Sequence, residues 1–228
     1  MGAPADHLAE AFHGLADHLR FLQALGVKEL PLSREYLAGP GGGLRRLEQA
    51  IEGCTRCKLC RGRRTIVFGS GPAEAGLMLI GEGPGEEEDR QGKPFVGRAG
   101  QLLTRMLESV GISRDEVYIT NIVKCRPPGN RNPEPDEIAA CAPFLDGQLA
   151  AIRPRIVCAL GTFAAQTLLR TREPIGKLRG RVHAFGAIPL IPTFHPAFLL
   201  RNPGPQYRRL AWEDMKLLRR EYDRARGG

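Results

Sequence analysis

Four short apolar runs leave this chain few architectures: "GLMLIGE" at 76–82, "EVYITNIV" at 116–123, "RIVCALG" at 155–161 and "AIPLIPTFH" at 187–195. Each has the length and composition of a buried strand, and helical patterns lie between and after them. In "GRAGQLLTRMLESVG", Leu102, Leu103, Met106, Leu107 and Val110 share one side, and Gly111 supplies a left-handed stop. "PEPDEIAACAPFLDGQLAAI" sets Ile138, Cys141, Leu145, Leu149 and Ile152 in register, with a kink expected at Pro143. "GTFAAQTLL" and "QYRRLAWEDMKLLRREY" supply two more helices. Strand and helix alternating at this spacing predict an α/β protein, a parallel sheet with helices on both faces. Ligands of such sheets sit beyond the carboxyl ends of the strands. The residues to inspect are therefore Glu82 onwards, Asn121 onwards, Gly161 with Thr162, and His195 onwards.

Upstream, residues 4–25 place Leu8, Phe12, Leu15, Leu19, Leu22 and Leu25 on one helical face, which either packs on the main domain or meets a partner. "AGPGGG" at 38–43 reads as a flexible break. The expected organisation is a helical extension with linker over 1–43 and one domain over 44–228. An excess of 33 Lys and Arg over 25 acids, net +8, favours a polyanionic partner such as nucleic acid. No apolar run approaches the roughly 18 residues of a membrane span, and the N-terminus lacks the layout of a signal peptide. The expectation is a soluble, cytoplasmic monomer. In a reducing compartment the six cysteines read as thiols or metal ligands.

Cys54 and Cys57 form "CTRC", a spacing that turns two thiolates toward one ion or cluster. Cys125 and Cys141 follow the second strand and can approach the same point. Cys60 extends the first group to "CTRCKLC" and competes as a ligand, while Cys158 inside "IVCAL" reads as a core residue. Spacing alone leaves iron–sulfur and zinc open.

The loop "GEGPGEEED" at 81–89 looks at first like a phosphate cradle, but its glycines fall as GxGxG, Pro84 removes an amide, and four acids follow. Glycines also let a flat ring approach the backbone, so the loop reads as a pocket for a base. Asn121 can donate and accept along a pyrimidine edge, with Lys124, Arg126 and Arg131 next to it for backbone phosphates. His195 ends the last strand, and Phe198, Leu199, Leu200 and Arg201 compose an apolar wedge with a cation.

"GEGPGEEEDRQGKPFVGRAGQLL", "YITNIVKCRPPGNRNPEPDEIAAC" and "HPAFLLRNP" together resemble the signature segments of the family 4 uracil-DNA glycosylases, the iron–sulfur branch of that superfamily. The resemblance runs from about residue 44 to the last helix. It implies a three-layer α/β/α sandwich around a four-stranded parallel sheet, and release of uracil from single- and double-stranded DNA. It also implies a 4Fe-4S cluster on Cys54, Cys57, Cys125 and Cys141, with Cys60 outside that pattern. Gly81, Glu82 and Gly83 would then line the uracil pocket, Phe95 stack on the ring, Asn121 read its edge and His195 stand near O2. The best-known branch carries Asp where this chain has Gly83, so Glu82 becomes the first choice for serving the water and Glu88 the second. Glu88 would alternatively crowd the uracil C5 edge. The N-terminal extension lies outside the resemblance, and a repair or replication partner is conceivable there.

Overall fold

The computed structural model describes residues 39–227. The helix expected over 4–25 lies outside them. A first helix, α1 (Gly39–Ile51), precedes a loop that carries Cys54, Cys57 and Cys60. There follow β1 (Leu77–Gly81), α2 (Glu86–Gln91), α3 (Arg98–Glu108), β2 (Tyr118–Asn121), α4 (Pro135–Ile152), β3 (Ile156–Leu160) and α5 (Thr162–Leu169). The chain closes with α6 (Ile175–Leu178), β4 (His183–Phe185), β5 (Ile188–Thr193), α7 (Pro196–Arg201) and α8 (Pro205–Gly227).

Five strands form one sheet in the order β2-β1-β3-β5-β4. The four expected strands are all present and mutually parallel, Gly81 lying opposite Asn121 in the β1–β2 register. A fifth strand, β4, pairs antiparallel with β5 at the edge. It corrects the expected count of four: three residues before a turn at Gly186, φ 59°, are too few to show a period in the sequence.

The central strands are buried on both faces, which is why they read as continuous apolar runs. Alternate residues feed two cores. Met78, Ile80, Val157 and Ala159 face Phe144, Leu145 and Leu149 of α4 and Ala164 and Leu168 of α5. Leu77, Leu79, Cys158 and Ile191 face Leu103 and Leu107 of α3 and Met215 and Leu218 of α8. Three layers result, and Cys158 is the core residue its setting suggested. Helix α4 continues through Pro143 as one element. Helix α1 begins at Gly39, so residues 39–43 are helical there and not the break expected; Leu44, Leu47 and Ile51 dock it on the first core.

Candidate active site

Strands β2, β1, β3 and β5 end on one side of the sheet, and Gly81, Asn121, Gly161 and His195 at or just past their ends cluster around Phe95. Gly81 and Asn121 face each other there. A Cβ at Gly81 would collide with the Asn121 side-chain oxygen and lie 2.7 Å from Phe95 Cζ, so only glycine leaves the space open. Asn121 is 1% exposed, and its Oδ1 is buried without a hydrogen-bond partner. An orphaned buried acceptor in a native site costs about 1–3 kcal/mol unless a ligand engages it. Gly83 sits against Val123 Cγ2, which a Cβ would approach to 2.9 Å, and the Ile122 and Val123 amides donate to the Gly81 and Glu82 carbonyls.

His195 is the N-cap of α7. Its Nδ1 accepts the Ala197 N–H at 3.1 Å, and Pro196 occupies the first helical position. An accepting Nδ1 places the single proton of the neutral imidazole on Nε2, which becomes a donor. Burial, helped by the Arg201 charge, draws the His195 pKa down to about 4, so the ring is uncharged at neutral pH. The ring lies 5.6 Å from that of Phe95. Gly161, φ 94°, gives it room, since a Cβ there would stand 2.8 Å from His195 Cβ. Behind it, Thr193 Oγ1 donates to Asp214 of α8, and Arg179 binds both oxygens of the same carboxylate. That buried pair anchors the strand end from which His195 projects.

Glu82 is half-buried. Burial raises its carboxyl above the usual carboxylate range, and the Arg201 charge offsets part of the rise. Glu88, the second expected carboxylate, has a different occupation. Its Oε1 accepts the Val96 and Gly97 amides, each at 2.9 Å, and holds the Phe95 turn. With that oxygen committed to two backbone donors, Glu88 anchors this loop.

The cysteines converge at the base of the same loops. Cys125 and Cys141 are buried, and Cys54 and Cys57 pack against the core they belong to. Arg63 Nη1 donates to the Cys54 carbonyl at 2.7 Å and to Cys125 Sγ at 3.4 Å, while the Lys124 amide donates to Cys141 Sγ at 3.3 Å. Burial pushes the Cys125 thiol up to about 11 and raises those of Cys57 and Cys141. Among the described residues, no three His, Cys, Asp or Glu side chains close into a metal-holding group as they stand. The donor set nevertheless fits a thiolate-bound iron–sulfur centre: four sulfurs from three segments, with N–H donors aimed at two of them.

Residues 68–216 match the Uracil DNA glycosylase superfamily. The chain belongs to this superfamily. It is 45% identical to a type-4 uracil-DNA glycosylase of Thermotoga maritima over 75% of this chain and 90% of that protein. A type-4 uracil-DNA glycosylase of Saccharolobus solfataricus is 46% identical over 73% of this chain and 80% of its own length. A third, from Sulfurisphaera tokodaii, is 42% identical over 77% and 83%.

This superfamily member departs from the sequence reading on the side expected to meet DNA. Lys124, expected on phosphates, is fully buried, and its Nζ is saturated by Thr120 Oγ1 at 2.6 Å, Asn121 O at 2.7 Å and Gln148 Oε1 at 2.6 Å. It fixes the backbone of the pocket asparagine and cannot reach a phosphate. Arg131 is tied to both oxygens of Glu137, whose carboxylate also accepts the Glu134 amide at the start of α4. It serves that helix N-terminus. Arg126 spans Asn130 and Glu86 at the surface. Of the four wedge residues, Phe198 stacks on Phe194 at 5.1 Å and Leu199 is buried, leaving Leu200 and Arg201 exposed. Gln148, which turns Lys124 inward, lies on α4 beyond the quoted motif, whereas Glu137 and Phe194 are close in sequence to Arg131 and Phe198 and are paired with them only by the fold. Arg63, Arg114, Arg179 and Asp214 were missed for the same reason, since none carries a local signal.

Proposed function

We propose that this enzyme hydrolyses the N-glycosidic bond of deoxyuridine in single- and double-stranded DNA, releasing uracil and leaving an abasic site for base-excision repair. The observation that carries it is the unpartnered Asn121 oxygen facing the Gly81 gap, between Phe95 and a neutral His195. Uracil must leave the stack to reach such a recess, at a cost of a few kcal/mol. Its edge meets Asn121, its face meets Phe95, and the Gly81, Glu82 and Gly83 backbone passes beneath it. As the bond breaks, uracil becomes anionic and the sugar cationic. His195 Nε2–H donates toward O2, where charge develops only in the transition state, so the contact accelerates reaction more than it aids binding. Glu82, its carboxylate half-buried, orients water or stabilises the sugar cation. Leu200 and Arg201 enter the stack, and Arg126 meets a phosphate.

In the same reading Cys54, Cys57, Cys125 and Cys141 hold a 4Fe-4S cluster whose contribution is to cross-link three segments. Support comes from their convergence, from Arg63 bridging the first and third of them, and from the type-4 relatives. Residues 44–228 form the glycosylase domain, and 1–43 an extension available to a repair or replication partner. The protein acts as a cytoplasmic monomer; among the described residues no helix is long and apolar enough to cross a membrane. Incubation with a single-stranded uracil oligonucleotide, then alkali, tests the activity. Strand cleavage at uracil is expected, and an intact strand with full iron content would overturn the reading.

A further inference from the structure

Phe95 has φ 53°, a left-handed backbone that a phenylalanine keeps only when its surroundings impose it. Both flanking peptides are held. On one side Glu88 Oε1 accepts the Val96 and Gly97 amides at 2.9 Å. On the other, Arg114 Nη2 donates to the Pro94 carbonyl at 2.8 Å, while its Nη1 reaches Thr104 Oγ1 of α3 at 3.1 Å. Gly100 lets that helix pass under the turn, because a Cβ there would run into the Phe95 carbonyl. The guanidinium thus ties the aromatic turn to α3, and the carboxylate ties it to α2. Released from either, "GKPFVG" would relax toward negative φ at Phe95 and swing the ring away from His195.

We propose that Arg114 and Glu88 are positioning residues that pre-organise Phe95 for stacking on the extruded base. The inference rests on the uracil-excision reading and deepens it, because it assigns the preorganisation of the ring to two residues with no role in bond breaking. Misplacing a positioning group by an ångström costs up to about 100-fold in rate.

Single-turnover excision from a single-stranded uracil oligonucleotide tests it, with wild type, Phe95→Ala, Arg114→Met and the Arg114→Met/Phe95→Ala double variant. Arg114→Met is expected to lose about 10- to 100-fold, with Arg114→Lys recovering part. The double variant is expected to be no slower than Phe95→Ala, since Arg114 acts only through that ring. Glu88→Ala should fall similarly, and Glu88→Gln, which keeps an accepting oxygen, should restore most of the rate. Multiplying losses in the double variant, a wild-type rate for Arg114→Met, or a Glu88→Gln as slow as Glu88→Ala would each overturn the proposal. If Arg114→Met does not fold, the Glu88 pair decides. A wild type that releases no uracil overturns the activity itself, whereas a fully active Phe95→Ala overturns only the stacking role and its support.

Discussion

The Asn121 side-chain oxygen packs against the bare Cα of Gly81, one strand away in register, beside the Phe95 ring and without a hydrogen-bond partner. That close approach is possible only because residue 81 has no side chain. Gly81→Ala places a methyl there, aimed at Asn121 and Phe95. Excision is expected to fall on the order of 100-fold, with about 1–3 kcal/mol of stability lost to overpacking, checked by single-turnover kinetics beside a thermal melt.

Two ionisable groups of the pocket shift in opposite directions, which separates their signatures. Glu82 is raised, so its active carboxylate is lost as pH falls through a value above the ordinary 4.5. His195 is lowered to about 4 and stays neutral across that window. The acid limb of the excision profile should therefore belong to Glu82. Glu82→Gln should be slow and flat there, whereas His195→Ala should be slow and keep the limb.

The same His195 shift makes a stability prediction. An unfolded chain binds the histidine proton below about pH 6.5, while the folded chain resists until about 4. Between these values the unfolded state holds more protons, so stability from this group is present above 6.5 and declines as pH falls toward 4. In denaturant melts from pH 7 to 4, wild type should lose stability relative to His195→Asn as the pH drops.

Lys124 and Arg126 are near neighbours in sequence with opposite fates. Lys124→Met leaves Thr120, Asn121 and Gln148 each short of a donor and should cost about 1–3 kcal/mol of stability, without changing the salt dependence of DNA binding. Arg126→Ala should leave stability alone and lower the slope of log affinity against log salt by about 1. A reduced salt slope for Lys124→Met would mean that it does reach phosphate.

Cys54→Ser, Cys57→Ser, Cys125→Ser and Cys141→Ser should each lose iron, while Cys60→Ser keeps it. Loss of the cross-link is expected to cost about 2 kcal/mol, or about 4–8 °C in Tm for a chain of this size. Iron content and melting temperature on the same preparations check both, and equal iron loss in Cys60→Ser would redraw the ligand set.

Much of the pocket was legible because its parts are local. An apolar run that ends in Gly81, Asn121 or His195 announces a strand end whatever the rest of the chain does, and parallel strands bring all such ends to one side. The type-4 relationship was legible in three quoted segments. The roles of Glu88, Lys124, Arg131 and Phe198 were not, because each looks like a free functional group in its own motif and its partner is chosen only by the folded geometry: the Val96 and Gly97 amides, Glu137 and Phe194 nearby in the chain, and Gln148 on a later helix.

Sequence by itself determined the parallel α/β architecture and which side of the sheet carries the site, since both follow from periodicity and turn chemistry within short segments. Tertiary structure alone decided which polar groups face the ligand and which hold the frame, and that His195 is neutral with its donor on Nε2. Burial and hydrogen-bond partnership are properties of residues distant in the chain: Lys124 is turned inward by Gln148, and His195 is discharged by the pocket that closes around it.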